Sequence, residues 1–437
     1  MMRKTWKMAA ACMMAGAMAV GTAVPAFADG SDDVIELEFW GWWSSDARKP
    51  HIEHMVDAFN ESQDKIHVTY VDIGWDEIFT KNIAQIAAGN PCDVMANNFG
   101  DVSYRAEQGQ LTALDDYLDD DYNLDLFYDS YAAGCYGEDG SVYAMPLVGD
   151  TRFIYYNKDL FEAAGYSEEK GNLPTTWEEL QEVAYALDSY NEDGSIDVMG
   201  FHPILGNGGL DTWITNANKG NLFYDPEAND FQIDTETNAK TLEYILSYTD
   251  HYTARTVDDY KAAFASGMTD PFCSEKLAMM IQTNAYRAAI AKNAPDLDYG
   301  VILLPEMEEG NGNWSNGGGF TIEVPYGAKN PEASMEFIKW MTSPEIESYW
   351  ALNMGEVPTL KEVDNEELQD DLVYQASMES MKQTNIGMYP NAIAGFKDLI
   401  HNETDLILLG TESIEDGLAN ADAVVRDTYE LPQEEDK

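Results

Sequence analysis

Basic residues are scarce in this chain. Twenty-five Lys and Arg face 79 Asp and Glu, and there are only six His. A surface so acidic repels phosphate backbones, which excludes nucleic acid as a partner. It also keeps the chain soluble at high concentration. Cysteine is equally thin, with four residues, and Cys12 lies in the leader described below. Cys92, Cys135 and Cys273 are an odd set, so at most one disulfide forms, and small buried hydrophobes are the default reading. No C-x-x-C or Cys/His ligand spacing occurs, so no metal site and no cofactor is expected. The His are scattered. His51-Ile-Glu-His54 is not H-E-x-x-H, and Asn313-Trp-Ser315-Asn-Gly317 misses a nucleophile elbow at its first position. No P-loop or dinucleotide fingerprint appears.

Long apolar runs are also missing, with one exception at the start. Arg3, Lys4 and Lys7 precede an Ala/Met/Gly-rich stretch from Met8 to Val24, and Pro25-Ala-Phe-Ala28 supplies an A-x-A cleavage site. Residues 1–28 therefore read as a signal peptide. Cys12 has too little apolar sequence before it to be a lipid attachment point. No second run approaches the roughly 18–20 residues of a membrane span. The mature chain is expected to be exported, to the periplasm or the outer cell surface. Its charge is 22 basic minus 79 acidic residues, or −57.

What is present is a packed α/β pattern. Aromatics make up 12% and apolar residues 45% of the chain, and its length exceeds one ordinary core. Ile35, Leu37 and Phe39 alternate with Glu36 and Glu38, a strand. Gly41 ends it, and Trp42 and Trp43 fall on the loop beyond, where open α/β sheets take ligands. Ile52, Met55, Val56 and Phe59 mark a helix. Ile66 to Ile73 is a second strand, Trp75 to Ala88 a second helix, and Asp93 to Ala96 a third strand before Asn97-Asn98-Phe-Gly-Asp101. Thr176 and Glu179 stand in capping-box spacing. Asn330-Pro331 and Ser343-Pro344 each place a cap before a proline. Ser189 to Gly200 echoes a calcium loop but lacks its first Asp and final Glu, so an Asn/Asp/Gly turn is the better reading.

In that order the chain resembles the extracellular sugar-binding proteins of ABC importers, the family that includes maltose-binding protein. The carriers are Phe39-Trp40, Gly89-Asn-Pro-Cys-Asp93-Val94, Val142-Tyr-Ala-Met-Pro146, Phe153-Ile-Tyr-Tyr-Asn-Lys-Asp-Leu-Phe161 and Pro174-Thr-Thr-Trp-Glu-Glu-Leu180. Lys276-Leu-Ala-Met-Met280, Gly317-Gly-Gly319, Pro331-Glu-Ala-Ser-Met-Glu-Phe-Ile338 and Gly355-Glu-Val-Pro358 follow. Each is weak alone; nine in sequence are specific. The resemblance implies a two-lobe, periplasmic-binding-protein-like α/β fold with three interlobe crossings and ligand in the cleft. The crossings would fall near Pro146–Arg152, Leu304–Pro305 and Tyr349–Gly355. One lobe would take residues 32–147 and 306–350, the other 148–305 and 351–437. It also implies a partner, the transmembrane permease subunits of an ABC importer, served by a monomer.

Sugar recognition pairs aromatic faces with planar hydroxyl-bonding groups. Trp42 and Trp43 are the expected stacking pair. Trp75, Asp76, Asn97, Asn98 and Asp101 follow the next two strands. Asp150 and Arg152 lie at the first crossing, where the family places a carboxylate. Trp213 stands where related proteins put second-lobe cleft groups. Trp314, Asn316, Gly317 and Gly318 form a polar, glycine-rich loop, in which backbone N–H groups approach a ligand closely. Glu356 is a candidate second carboxylate, and Phe396 an apolar wall. After Met279-Met-Ile281 the family often shows Gly-x-Trp. Here the indole is missing, and Asn284 and Tyr286 are the stand-ins. The expectation is an oligosaccharide-binding protein without turnover. The same fold carrying a peptide, polyamine or cation stays open as an alternative. So does a secreted glycoside hydrolase, which needs only two carboxylates.

Overall fold

The structure is a computed structural model that describes residues 34–265, 270–363 and 366–431. The signal segment expected at 1–28 lies outside them. In chain order the elements that build the two sheets and position the site are β1 (Ile35–Gly41), α1 (Lys49–Ser62), β2 (Ile66–Asp72), α2 (Trp75–Ala87), β3 (Val94–Asn98) and β4 (Ala144–Val148). Then come β5 (Arg152–Asn157), α3 (Trp177–Ala186), α4 (Leu210–Ala217), α5 (Glu236–Tyr252), β6 (Met279–Thr283), α6 (Tyr286–Asn293), β7 (Tyr299–Ile302), β8 (Ser315–Asn316) and β9 (Phe320–Glu323). The last are α7 (Pro331–Met341), α8 (Pro344–Met354), α9 (Leu372–Ser380), β10 (Thr384–Asn385), α10 (Phe396–Leu408) and α11 (Ile414–Thr428).

Two sheets make two bodies. The first sheet runs β2-β1-β3-β9-β4, with β1 parallel to β2 and β3, and β9 antiparallel to β3 and β4. The second runs β6-β5-β7, antiparallel throughout. Each has its own apolar core. The alternation of β1 is physical: Leu37 and Phe39 are buried while Glu36 and Glu38 face solvent. The expected stripe of α1, Ile52, Met55, Val56 and Phe59, packs onto that face. Thr176 caps α3 and Ser343 caps α8 through side-chain oxygens, each satisfying a backbone N–H that helix geometry leaves free. Cys92, Cys135 and Cys273 are free and buried. The 189–200 stretch is a hairpin turn in which Asp193 accepts from Ser195, and Asp197 pairs with Lys276. Among the described residues no helix is long and apolar enough to cross a membrane.

The chain passes between the bodies at 148–152, from the end of β4 to the start of β5. The other crossings lie later than expected. Residues 306–316 bond to the second body: Trp177 N donates to Glu306 O at 2.9 Å and Asn216 Nδ2 to Trp314 O at 2.8 Å. The second crossing is therefore the glycine run at 317–319. Residues 357–360 remain with the first body, because Val357 bridges Gly149 and Tyr128 N donates to Thr359 O at 3.0 Å. By Asp371, which pairs with Arg287, the chain has entered the second body.

Candidate functional site

Sheet topology gathers the site. β1 to β4 share one direction and β9 runs against them, so four carboxyl ends and the amino end of β9 meet at one edge. Gly41, Asp72, Asn98 and Val148 end their strands there, and Phe320 begins its own. Gly41 lets the chain turn; a Cβ on it would lie 2.7 Å from the Trp43 ring. Beyond it Trp42 stands edge-on to Trp75 at 4.7 Å and to Phe320 at 4.9 Å. Trp75 opens α2 and is 43% exposed. These rings form an aromatic ledge at the sheet edge. Phe320 ties it to the polar loop after β3, because Phe320 pairs with Asn98.

Between the bodies lies a cavity of about 490 Å³. Asn98, Asp101 and Tyr104 form its first-body wall, Gly317 and Gly319 its floor, and the 386–397 stretch its second-body wall. Asn98 Nδ2 donates to Asp101 Oδ2 at 3.0 Å. The walls touch where Asn391 Nδ2 donates to Ser103 Oγ at 3.2 Å. The glycines are required by close backbone approach. A Cβ on Gly319 would sit 1.9 Å from Val148 O, and one on Gly317 2.5 Å from Asp150 O. The run thus presses the second crossing against the first.

Charged groups collect at those crossings. Arg152 Nη1 donates to Asn316 O at 2.8 Å and stands 3.7 Å from Asp150 Oδ1. Thr212 Oγ1 donates to Asn316 Oδ1 at 2.8 Å. Arg48, at the start of α1, pairs with Glu356. Burial pulls the Arg48 guanidinium down to about 10, opposed by the Asp150 carboxylate. Planar amides, a carboxylate and a guanidinium at the cleft, with an aromatic ledge at the adjoining sheet edge, are groups that bind hydroxyls and C–H faces. Among the described residues no cluster of three or more His, Cys, Asp or Glu is placed to hold a metal ion.

Several expected site residues have other work. Trp43 is fully buried, edge-on to Trp350 at 5.2 Å, and belongs to the first core. Asn97 is buried and donates to Glu323, which pairs with Arg105 inside the same body. Trp213 is buried against Trp177, its indole N–H spent on Pro203 O; its neighbour Thr212 faces Asn316 instead. Asn284 is a hinge pin: it accepts from Thr151 N at 2.9 Å and donates to Gly355 O. Tyr286 is buried and donates to Asp270 at 2.6 Å. Glu356 is 3% exposed and occupied by Arg48. Trp314 packs on Gly220 and Gly312 and lines a separate cavity of about 810 Å³ with Lys219 and Asn221. Gly318 is buried against Ile386, its N–H donated to Asp150 O. Phe396, by contrast, lines the cavity as the expected apolar wall, packed edge-on against Tyr389 at 5.3 Å. Asp76 is exposed beside Trp75.

Sequence reasoning missed Tyr104, Tyr389, Asn391 and Lys397 on the cavity walls. Tyr389-Pro390-Asn391 announces a turn, but only the folded chain sets that turn opposite the loop after β3.

The profile of the bacterial extracellular solute-binding protein family matches residues 25–347. A putative binding protein of Brucella abortus (strain 2308) is 24% identical over 399 residues, 86% of this chain and 90% of its own. A maltooligosaccharide ABC transporter solute-binding lipoprotein of Streptococcus pneumoniae (strain ATCC BAA-255 / R6) is 24% identical over 417 residues, 88% and 90% of the two chains. Among solved structures, CpMnBP1 with mannotriose bound superposes with a TM-score of 0.76 at 23% identity, covering 90% of this chain and 100% of that one. A Listeria monocytogenes ABC substrate-binding protein with cycloalternan gives 0.71 at 21%, covering 91% and 99%. These likenesses establish a shared fold.

Proposed function

The chain belongs to the bacterial extracellular solute-binding protein family, and from that premise we propose that it captures a neutral oligosaccharide between its two bodies and delivers it to an ABC import permease. The observation that carries this reading is the exposed Trp75 on the Trp42–Phe320 ledge, at the sheet edge that also presents Asn98 and Asp101. An indole left 43% exposed costs solvation unless something covers it. The C–H face of a pyranose suits that surface, and the amide and carboxylate beside it suit hydroxyls. Asp150, Arg152, Asn316 and the Gly317 and Gly319 backbone complete the site from the crossings. The maltooligosaccharide transporter lipoprotein and the mannotriose- and cycloalternan-bound structures to which the chain is similar support the sugar class.

In this reading the protein works as a monomer, exported to the periplasm or cell surface, without chemical turnover, cofactor or nucleic acid. Closure of the bodies around ligand is the signal the permease senses, a hinge motion about the crossings. A thermal-shift screen of the mature chain against neutral oligosaccharides, diamines and short peptides tests it. Ligand at 100 times Kd raises stability by about 2.7 kcal/mol. Stabilisation by a glycan that is recovered uncut supports the reading. Stabilisation by putrescine or a peptide alone overturns the sugar class. Release of reducing ends overturns the absence of turnover.

A further inference from the structure

The cavity described above has a neighbour along α10. A second cavity, of about 570 Å³, is lined by Arg152, Asn207, Asp211, Asn316, His401 and Asp405. Three observations join the two. Asn316 lines one cavity and Gly317, the next residue, lines the other. Lys397 lines the first, while His401, Asp405 and Leu408 line the second. Spacings of four, four and three residues put all four on one face of α10. The third link is Tyr389, a wall of the first cavity. Its phenol is pushed up by burial and then by the Asp211 carboxylate of the second.

The face of α10 from Lys397 to Leu408 is about 16 Å long at 1.5 Å per residue. That exceeds the length of a disaccharide. At its far half Asp211 Oδ1 meets His401 Nε2 at 2.7 Å, with side chains 28% and 37% exposed. The pair is thus fixed in orientation yet open to a ligand. The carboxylate takes the Nε2–H, so Asp211 Oδ2 and His401 Nδ1 are left as acceptors for vicinal hydroxyls, and Nδ1 becomes a donor when the ring is protonated. Across the groove Thr212 fixes Asn316, a planar amide, in the same cavity.

We propose that this groove along α10 takes an oligosaccharide longer than two units, and that Asp211 and His401 bind the units beyond the disaccharide. The proposal rests on the sugar reading above. Calorimetry of the mature protein with linear mannan-type and maltodextrin-type oligosaccharides of two to five units tests it. The expected result is a Kd that falls at least about tenfold from the disaccharide to the tetrasaccharide in the series that binds. His401→Gln and Asp211→Asn, each made alone, should erase that gain and leave the disaccharide Kd unchanged. The wild-type series reads the groove's length even if a variant fails to fold. A Kd independent of chain length overturns the groove while leaving sugar capture standing. Equal weakening of short and long ligands by both variants overturns the assignment of the pair. No heat from any glycan overturns both the groove and the sugar reading.

Discussion

Replacing Trp75 with alanine should weaken ligand binding strongly and stability only modestly. The magnitude follows from exposure. A tryptophan presents 150–250 Å² of surface, and 43% of it is open, so a ligand has about 100 Å² to cover. At about 25 cal/mol per Å² full cover contributes about 2.5 kcal/mol, and cover of one face about half that. Since 1.4 kcal/mol is tenfold in affinity, Kd should rise by roughly 8- to 70-fold. The folded state loses the edge contacts of Trp75 with Trp42 at 4.7 Å and Phe79 at 5.4 Å, about 1 kcal/mol. Trp43→Ala should do the reverse. That ring is fully buried against Trp350 and Phe320, so its removal costs about 3–5 kcal/mol of stability through a cavity. Titration calorimetry with the glycan that stabilises the wild type, beside melts of the free proteins, separates the two. A Trp75→Ala protein that binds like the wild type would refute the ledge as the ligand surface.

Three further outcomes follow from buried polar groups. Arg105→Leu leaves the fully buried Glu323 with only Asn97 as a donor, so stability should fall by about 3–5 kcal/mol in urea melts; a loss under 1 kcal/mol would show that the ion pair is not desolvated. Glu347 is buried where it accepts from the Thr359 and Leu360 backbone, and burial raises its carboxyl to about 8. A raised acid is stabilising in its protonated form, fully so below about pH 4.3, and that contribution is lost as pH rises towards 8. Glu347→Gln keeps the acceptor for both N–H groups and gives Thr359 Oγ1 a donor, so it should be more stable than the wild type at pH 8 by up to a few kcal/mol and flatter between pH 5 and 8; parallel stability curves for the two proteins would contradict this. Asn284→Ala removes the hydrogen bonds by which the β6–α6 turn holds Thr151, at the first crossing, and Gly355, at the end of α8. It should lower stability by about 1–3 kcal/mol and speed amide exchange at Thr151, and unchanged exchange there would remove Asn284 from the hinge.

Elements set by local chemistry were legible in the sequence. The Glu36–Phe39 alternation, the α1 stripe and the Thr176 cap depend on residues within a few positions, and each takes its expected form. The motif order carried the fold class. Site membership was harder, because neighbours in sequence part company in space. Trp42 and Trp43 look equivalent on the loop, but the turn at Gly41 sends one to the ledge and the other onto Trp350, far along the chain. Asn97 and Asn98 differ by one strand position, so they face opposite sides of the sheet. One meets Glu323 in the core and the other lines the cavity. Trp213 and Thr212 divide in the same way. The late crossings were illegible because they depend on the hydrogen bonds of 306–316 and 357–360 to distant segments. Lys397 carried no motif at all.

Titration calorimetry of the mature chain bears most directly on sugar capture between the two bodies. A neutral oligosaccharide should bind at one site per chain, with a negative heat-capacity change as the aromatic ledge is covered, and should be recovered chemically unchanged. Heat from a diamine or a peptide, with none from any neutral glycan, would contradict the account.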